Sequence, residues 1–179
     1  MRILSRGNYG MASLRRSLIV SIVFGVFGGP GILLAYLPLW IAHFRVPAGE
    51  PWWQMLLAGA MIAVGVVPGI ESARRFVLVG HGTLMPTVPT EHLVVSGFYR
   101  HVRNPMYVGV MLALVGEAVL FERRAIVVYL ATVWLAIHLF VLFYEEPTLT
   151  RRYGEEYLRF KRNVPQWLPR VKPWQSGER

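Results

Sequence analysis

No cysteine and no aspartate occur in this 179-residue chain. Without thiols it can form no disulfide, no zinc–thiolate site and no cysteine nucleophile. Without aspartate, every acid, base or oxygen-ligand role falls to ten glutamates. Charge is scarce as well: 16% of the residues are charged, against about 25% in an ordinary soluble domain. Apolar residues make up 54% of the chain and mean hydropathy is +0.42. They come in long blocks, which points to lipid as the solvent. The net charge of +9 sits on residues flanking those blocks, a placement suited to membrane topology and anionic headgroups and not to nucleic acid.

Crossing ~30 Å of hydrocarbon takes roughly 20 apolar residues in a helix, and four blocks come near this. The first, Ser17 to Ala42, is too long for a signal peptide despite Arg15 and Arg16 ahead of it, and reads as a retained span. Gly28-Gly29-Pro30-Gly31 predicts a kink near its middle. The second runs from Trp52 to about Ile70 and continues as a helix toward Val79. The third, Met106 to Phe121, carries Glu117, which lies close enough to Phe121 to reach an interface. The fourth, Ala125 to Tyr144, carries His138, a candidate substrate-channel residue or a buried hydrogen-bonding one. Only Glu122-Arg123-Arg124 separates the last two, so they form a tight antiparallel hairpin. Gly25-xxx-Gly29 and Gly65-xxx-Gly69 are spacings that let helices approach closely.

Sixteen of the nineteen Lys and Arg residues sit in the N-terminal segment, the 71–105 segment and the tail after Tyr144. With four spans, that bias puts both termini and the central loop in the cytoplasm. Beyond Tyr144 the composition changes. Glu146-Pro147 reads as a helix start. Arg151–Glu155, Arg152–Glu156 and Glu155–Arg159 are i,i+4 pairs on one amphipathic helix from about Pro147 to Arg162. Val164-Pro165-Gln166-Trp167-Leu168-Pro169 then forms an extended segment packed across the cytoplasmic end. The fold expected is all-α: a polytopic membrane bundle of about four spans with a cytoplasmic amphipathic helix and tail. Residues 1–80 make an N-terminal hairpin and 81–179 a second region.

Three polar groupings share that end. In the loop 96–107, Asn104 suits an N-cap, Pro105 suits a first helical turn, and the arginines suit headgroups. Glu145-Glu146 lies where the fourth span ends, and the tail is rich in Arg and aromatics. The hairpin brings the first two together and the tail folds over them.

Gly97-x-Tyr99-Arg100-x-x-Arg103-Asn104-Pro105-x-Tyr107-x-Gly109, then Glu145-Glu146-Pro147, then Arg151-Arg152-Tyr153-Gly154-x-x-Tyr157, then Val164-Pro165 follow one another in order. This ordered set resembles the isoprenylcysteine carboxyl methyltransferase family, which shares much of its pattern with the phospholipid N-methyltransferases. Asn104 stands where eukaryotic members carry His. The resemblance implies an integral membrane enzyme using S-adenosylmethionine on a lipid or lipid-linked acceptor. It implies that His101, Arg103, Asn104, Pro105 and Tyr107 line the cofactor site, with the paired acids Glu145 and Glu146. Arg162 and Pro165 match the tail that closes over it. Glu146 and Arg103 are the candidates for direct catalytic roles.

Methyl transfer from a sulfonium is an in-line displacement, so positioning and exclusion of water carry most of the work. Tyr107, Tyr144 or Trp167 are candidates to face the sulfonium. A carboxylate acceptor needs no general base; an amine or phenol needs one, with Glu146 or His101 available. Two other classes stay open: a membrane reductase of sterol-reductase type using a nicotinamide cofactor, and a non-enzymatic scaffold. Cofactor binding separates them.

Overall fold

The computed structural model describes residues 19–20, 22–23, 27–45, 49–78 and 92–175. Among these every regular element is helical: α1 Gly29–Ile41, α2 Trp52–Leu78, a 3-10 turn Gly97–Arg100, α3 Pro105–Phe121, α4 Arg124–Phe140, α5 Glu146–Tyr153 and α6 Glu155–Asn163. A π-turn, Val141–Glu145, joins α4 to α5 without a break. The expected start of span one at Ser17, the Gly25 partner of Gly29 and the boundary near residue 80 lie outside the described residues.

Two helices, Trp52–Arg75 and Arg124–Tyr153, are long and apolar enough to cross a membrane, and only 17% of the apolar stretch of each is buried. A core helix of a water-soluble domain would hide most of such a surface; here Trp52, Leu56, Val64, Ile70, Val128 and Phe143 all face outward. Two shorter apolar helices, Gly29–Ile41 and Pro105–Phe121, pack among them.

The inward seam of α2 is narrow and made of small or polar residues: Gln54, Ala58, Gly65 and Ser72. It lies antiparallel against α3. A Cβ on Gly65 would stand 2.6 Å from the Gly109 carbonyl oxygen, and one on Gly116 would stand 2.9 Å from that of Ala58. With no water to expel between helices in lipid, close backbone approach supplies the packing attraction. The expected Gly65-xxx-Gly69 contact is therefore half right: around Gly69 a Cβ would meet nothing within 4 Å. At the far end Gln54 Nε2 donates to Val119 O (3.0 Å) and Glu122 Oε1 (2.6 Å), capping α3 where Glu122 turns left-handed.

α1 breaks where its glycines predict, since Gly28 leaves helical geometry (φ −100°, ψ −149°). It also carries a π-turn, Ile32–Tyr36, just ahead of Pro38. In that register Leu37 N–H bonds to Ile32 O, and Leu33 O would need the N–H that Pro38 lacks. Tyr129 Oη, from α4, donates to that orphan carbonyl at 2.9 Å. The side chains of Leu33, Leu34, Val110, Leu114 and Val133 close the apolar contact around it.

Three expectations are corrected here. The helix of the fourth block does not stop at Tyr144, because α4 runs through the π-turn into α5. The tail helix is not continuous from Pro147 to Arg162: Gly154, at φ +54°, separates α5 from α6. Arg151 and Arg152 thus fall on the other side of the break from Glu155 and Glu156, and the i,i+4 register is interrupted. Glu117 does not reach an interface; it is 6% exposed on the inner face of α3.

Candidate active site

Beyond the apolar bundle the chain builds a small cap with its own core. Val94, Tyr99, Tyr157, Phe160, Val164 and Trp174 bury one another, drawing on the loop before α3, on α6 and on the tail. The tail is tied to the loop by backbone hydrogen bonds. Arg103 N–H donates to Pro165 O (2.9 Å), Arg170 N–H to His101 O (2.9 Å), and Trp174 N–H to Arg100 O (2.8 Å). Arg100 Nε returns to Trp174 O at 2.7 Å. Gly97 adopts φ +55°, and a Cβ there would land on the Arg75 guanidinium at the end of α2.

Between bundle and cap lies a polar cluster. Glu146 is buried and receives two cations: Arg103 Nη2 on Oε1 at 2.9 Å and Lys161 Nζ on Oε2 at 2.6 Å. The Arg103 contact is close but poorly aligned as a hydrogen bond, so it acts chiefly as an ion pair. Arg103 Nη1 also donates to Lys161 O at 3.2 Å. The neighbouring acid behaves differently. Glu145 accepts from Tyr107 Oη at 3.1 Å, and among the described residues no cation faces it.

Two buried phenols frame these acids. The hydroxyls of Tyr99 and Tyr157 are pushed well above the ordinary tyrosine pKa of 10.0, by burial first. The carboxylate of Glu145 adds to the effect at Tyr99, and that of Glu146 at Tyr157.

The sequence-derived site residues thus divide. Arg103, Tyr107, Glu145 and Glu146 converge. Asn104 lies beside them but does not cap α3 with its side chain; its amide reaches Gln166 O at 3.5 Å. Pro105 is buried at the start of α3, and Pro165 holds the tail to Arg103 through its carbonyl. His101 is turned away. Its Nδ1 lies 2.8 Å from Arg170 O, and it lines a separate cavity of about 480 Å³ with Val67, Glu71, Gly97, Phe98, Arg100 and Pro173. Arg162 is also elsewhere, largely exposed with Glu155 3.8 Å away. Lys161 was not singled out from the sequence. Its place on Glu146, fifteen residues back, arises only because the chain reverses at Gly154, and that glycine after a short basic run was the available signal.

Comparison with known proteins bears on the same segments. Protein-S-isoprenylcysteine O-methyltransferase of Rattus norvegicus is 38% identical over 95 residues, 49% of this chain and 31% of that protein. The proteins of the same name from Mus musculus and Homo sapiens are 38% and 37% identical over 90 residues, 46% of this chain and 29% of theirs. The chain thus spans less than a third of the length of these curated relatives. No solved structure matches it. The family model for phospholipid methyltransferases matches residues 53–156, from the first turn of α2 into α6, taking in the α2–α3 seam, Arg103, Tyr107 and both acids. With more than half of the chain inside that match, the chain belongs to the phospholipid methyltransferase family.

Proposed function

We propose that this chain is an integral membrane methyltransferase of about four spans. It moves a methyl group from S-adenosylmethionine to a lipid or lipid-linked carboxylate or amine at the cytoplasmic face. One observation carries the reading: a buried, charge-balanced cluster sits at the joint between apolar helices and a folded cap, where a water-soluble cofactor and a lipid can meet. The relatives' name, an isoprenylcysteine O-methyltransferase, points to a carboxylate on a prenylated thioether as one acceptor class. The Lys and Arg bias favours both termini and the cap on the cytoplasmic side.

The donor set fits the cofactor. Glu145, with a phenol and, among the described residues, no cation beside it, suits a cationic amino group. The Tyr107 ring offers a face for a sulfonium, and Arg103 Nε, buried and without a partner, suits an anionic oxygen. When bound, S-adenosylmethionine supplies an electrophilic methyl whose bond to sulfur breaks as the bond to the acceptor forms, leaving a neutral thioether.

The chain's residues align the partners and keep water out, a contribution of roughly 7–11 kcal/mol when alignment is good. A carboxylate acceptor arrives ionised and loses no proton. An amine acceptor loses one, to a base other than Glu145, which the cofactor's amino group engages. Glu146, neutralised by Arg103 and Lys161, holds the cap in place and acts through position.

Isothermal titration of detergent-purified protein with S-adenosylhomocysteine tests the reading. Micromolar binding is expected, with Glu145→Gln weakening it about tenfold through a lost charge-assisted contact. Glu146→Ala weakens binding together with release of the cap. Folded wild-type protein that does not bind would refute the assignment.

A further inference from the structure

Two large apolar side chains on the tail stand almost wholly outside the protein: Leu168, 81% exposed, and Val171, 94% exposed. The segment that carries them is not loose. Arg103 N–H holds Pro165 O on one side of it, and Arg170 N–H holds His101 O on the other. The His101 ring meets Arg170 O at 2.8 Å through Nδ1, and the Arg170 guanidinium donates to Asn163 O at 2.9 Å. Residues 166–169 are therefore the tip of a pinned turn, with Val171 just past its second tie.

Two contacts fix how deep that tip lies. α3 and α4 are antiparallel neighbours of 17 residues each, so the start of α3 at Pro105 stands level with the end of α4 at Phe140. The Asn104 amide, one residue before Pro105, reaches Gln166 O. Independently, the Trp167 ring lies 5.9 Å from that of His138. A helical side chain leans toward its own N-terminus, which on α4 is away from the cap and into the apolar span. Beyond that level α4 still turns Leu142 and Phe143 outward, and Phe143 lies roughly 7 Å past His138 along the axis. The tip thus sits no higher than apolar surface that the helix itself presents to lipid.

We propose that the 166–172 turn is a membrane hook: Leu168 and Val171 enter the leaflet on the cap side, and the bilayer thereby holds the cap in place. Apolar side chains of this size left in water are unfavourable, and at the depth set by Asn104 and His138 it is hydrocarbon that meets them. Lys172, exposed beside Val171, can lay its stem along the acyl chains and carry its ammonium to a headgroup phosphate. The hook bears on the polar cluster by a short path. Pro165 O is bonded to Arg103 N–H, and the Arg103 guanidinium pairs with Glu146. Anchoring the tip in lipid keeps that joint closed. The proposal needs α4 to span the bilayer and is independent of which cofactor or acceptor the site takes.

The chain holds no cysteine, so one introduced thiol carries a unique label. Leu168→Cys and Val171→Cys are labelled with an NBD fluorophore in the full chain. Leu135→Cys, outward on α4, and Glu156→Cys, exposed on α6, serve as references. Each is placed in nanodiscs of phosphatidylcholine and phosphatidylglycerol, with or without bromine on the acyl chains, and titrated with iodide. Labels at 168 and 171 are expected to follow the label at 135, quenched by bromolipid and shielded from iodide, while the label at 156 does the reverse. Iodide quenching at 168 and 171 as strong as at 156 overturns the proposal. Shielding from both quenchers places protein there, such as a second copy of the chain, and overturns it as well.

The unlabelled double variant Leu168→Ser with Val171→Ser gives a second readout. Both side chains touch little of the protein, so the fold is expected to stand. In the same nanodiscs its Arg170 and Trp174 amides should exchange about tenfold faster than in the wild type. Unchanged exchange would show that the leaflet does not hold the cap, and would overturn the hook.

Discussion

Arg103 and Lys161 approach the same carboxylate, and distance alone would rank Lys161 first, at 2.6 Å against 2.9 Å. Burial reverses the order. The Arg103 side chain is 9% exposed and that of Lys161 42%. A half-exposed pair is screened by water and contributes about 0–1 kcal/mol. Removing one partner of a buried pair costs about 3–5 kcal/mol, and Lys161, which stays on Glu146 but is water-screened, offsets little of that. Arg103 also donates to Lys161 O, adding about 1 kcal/mol. Arg103→Met is therefore expected to destabilise the docked cap by at least ~3 kcal/mol, and Lys161→Met by ~1 kcal/mol or less.

The effect should be local. The α2–α3 seam makes no use of Arg103, so the cap opens while the bundle stays packed. Hydrogen exchange of residues 155–175 in detergent reads this directly. At tenfold for each 1.4 kcal/mol, Arg103→Met should speed exchange there roughly 100-fold or more and Lys161→Met less than tenfold. Pairing Arg103→Met with Glu146→Gln removes both buried charges and should recover much of the loss. Equal effects of the two single variants, or a larger one for Lys161→Met, would refute the ranking by burial.

Gly109→Val should drive α3 off the Gly65 carbonyl and lower the thermal midpoint by an amount corresponding to about 1–3 kcal/mol. Gly69→Ala, in open space, should leave the same melting curve unchanged. Tyr129→Phe leaves Leu33 O without its donor inside the apolar bundle and should cost about 1–2 kcal/mol in a denaturing-detergent titration. Raised folded-state pKa values at Tyr99 and Tyr157 mean the unfolded cap loses protons first. Cap stability is therefore full below pH 10.0 and falls as pH rises above it. Absorbance at alkaline pH should show these phenols ionising late, together with faster exchange in the cap.

Hydropathy located the apolar blocks because a run of some twenty residues needs no knowledge of its neighbours. Met106 to Phe121 was expected and Pro105–Phe121 is found. The packing partners were not legible in the same way. Gly65 and Gly69 look alike in sequence, yet only Gly65 meets a backbone, because the seam repeats every seven residues through Ala58, Gly65 and Ser72. That periodicity becomes visible once α3 presents Gly109 and Gly116 opposite. The π-turns were hidden for a related reason. A proline at 38 or 147 announces a lost hydrogen bond, but not whether the helix will end, kink or take in an extra residue and continue.

The paired acids show where residue type stops being informative. Glu145 and Glu146 are the same side chain in adjacent positions, and nothing local separates them. About 100° of helical rotation turns one toward Tyr107 on α3 and the other toward the loop and α6. Their difference is then made entirely by long-range partners: Arg103 sits 43 positions before Glu146, and Lys161 arrives because Gly154 reverses the chain. On our proposal the acid holding two cations acts through position, and the acid holding one phenol is the one left to meet a ligand. The chemistry of the site follows from that asymmetry, which belongs to the fold and not to either glutamate.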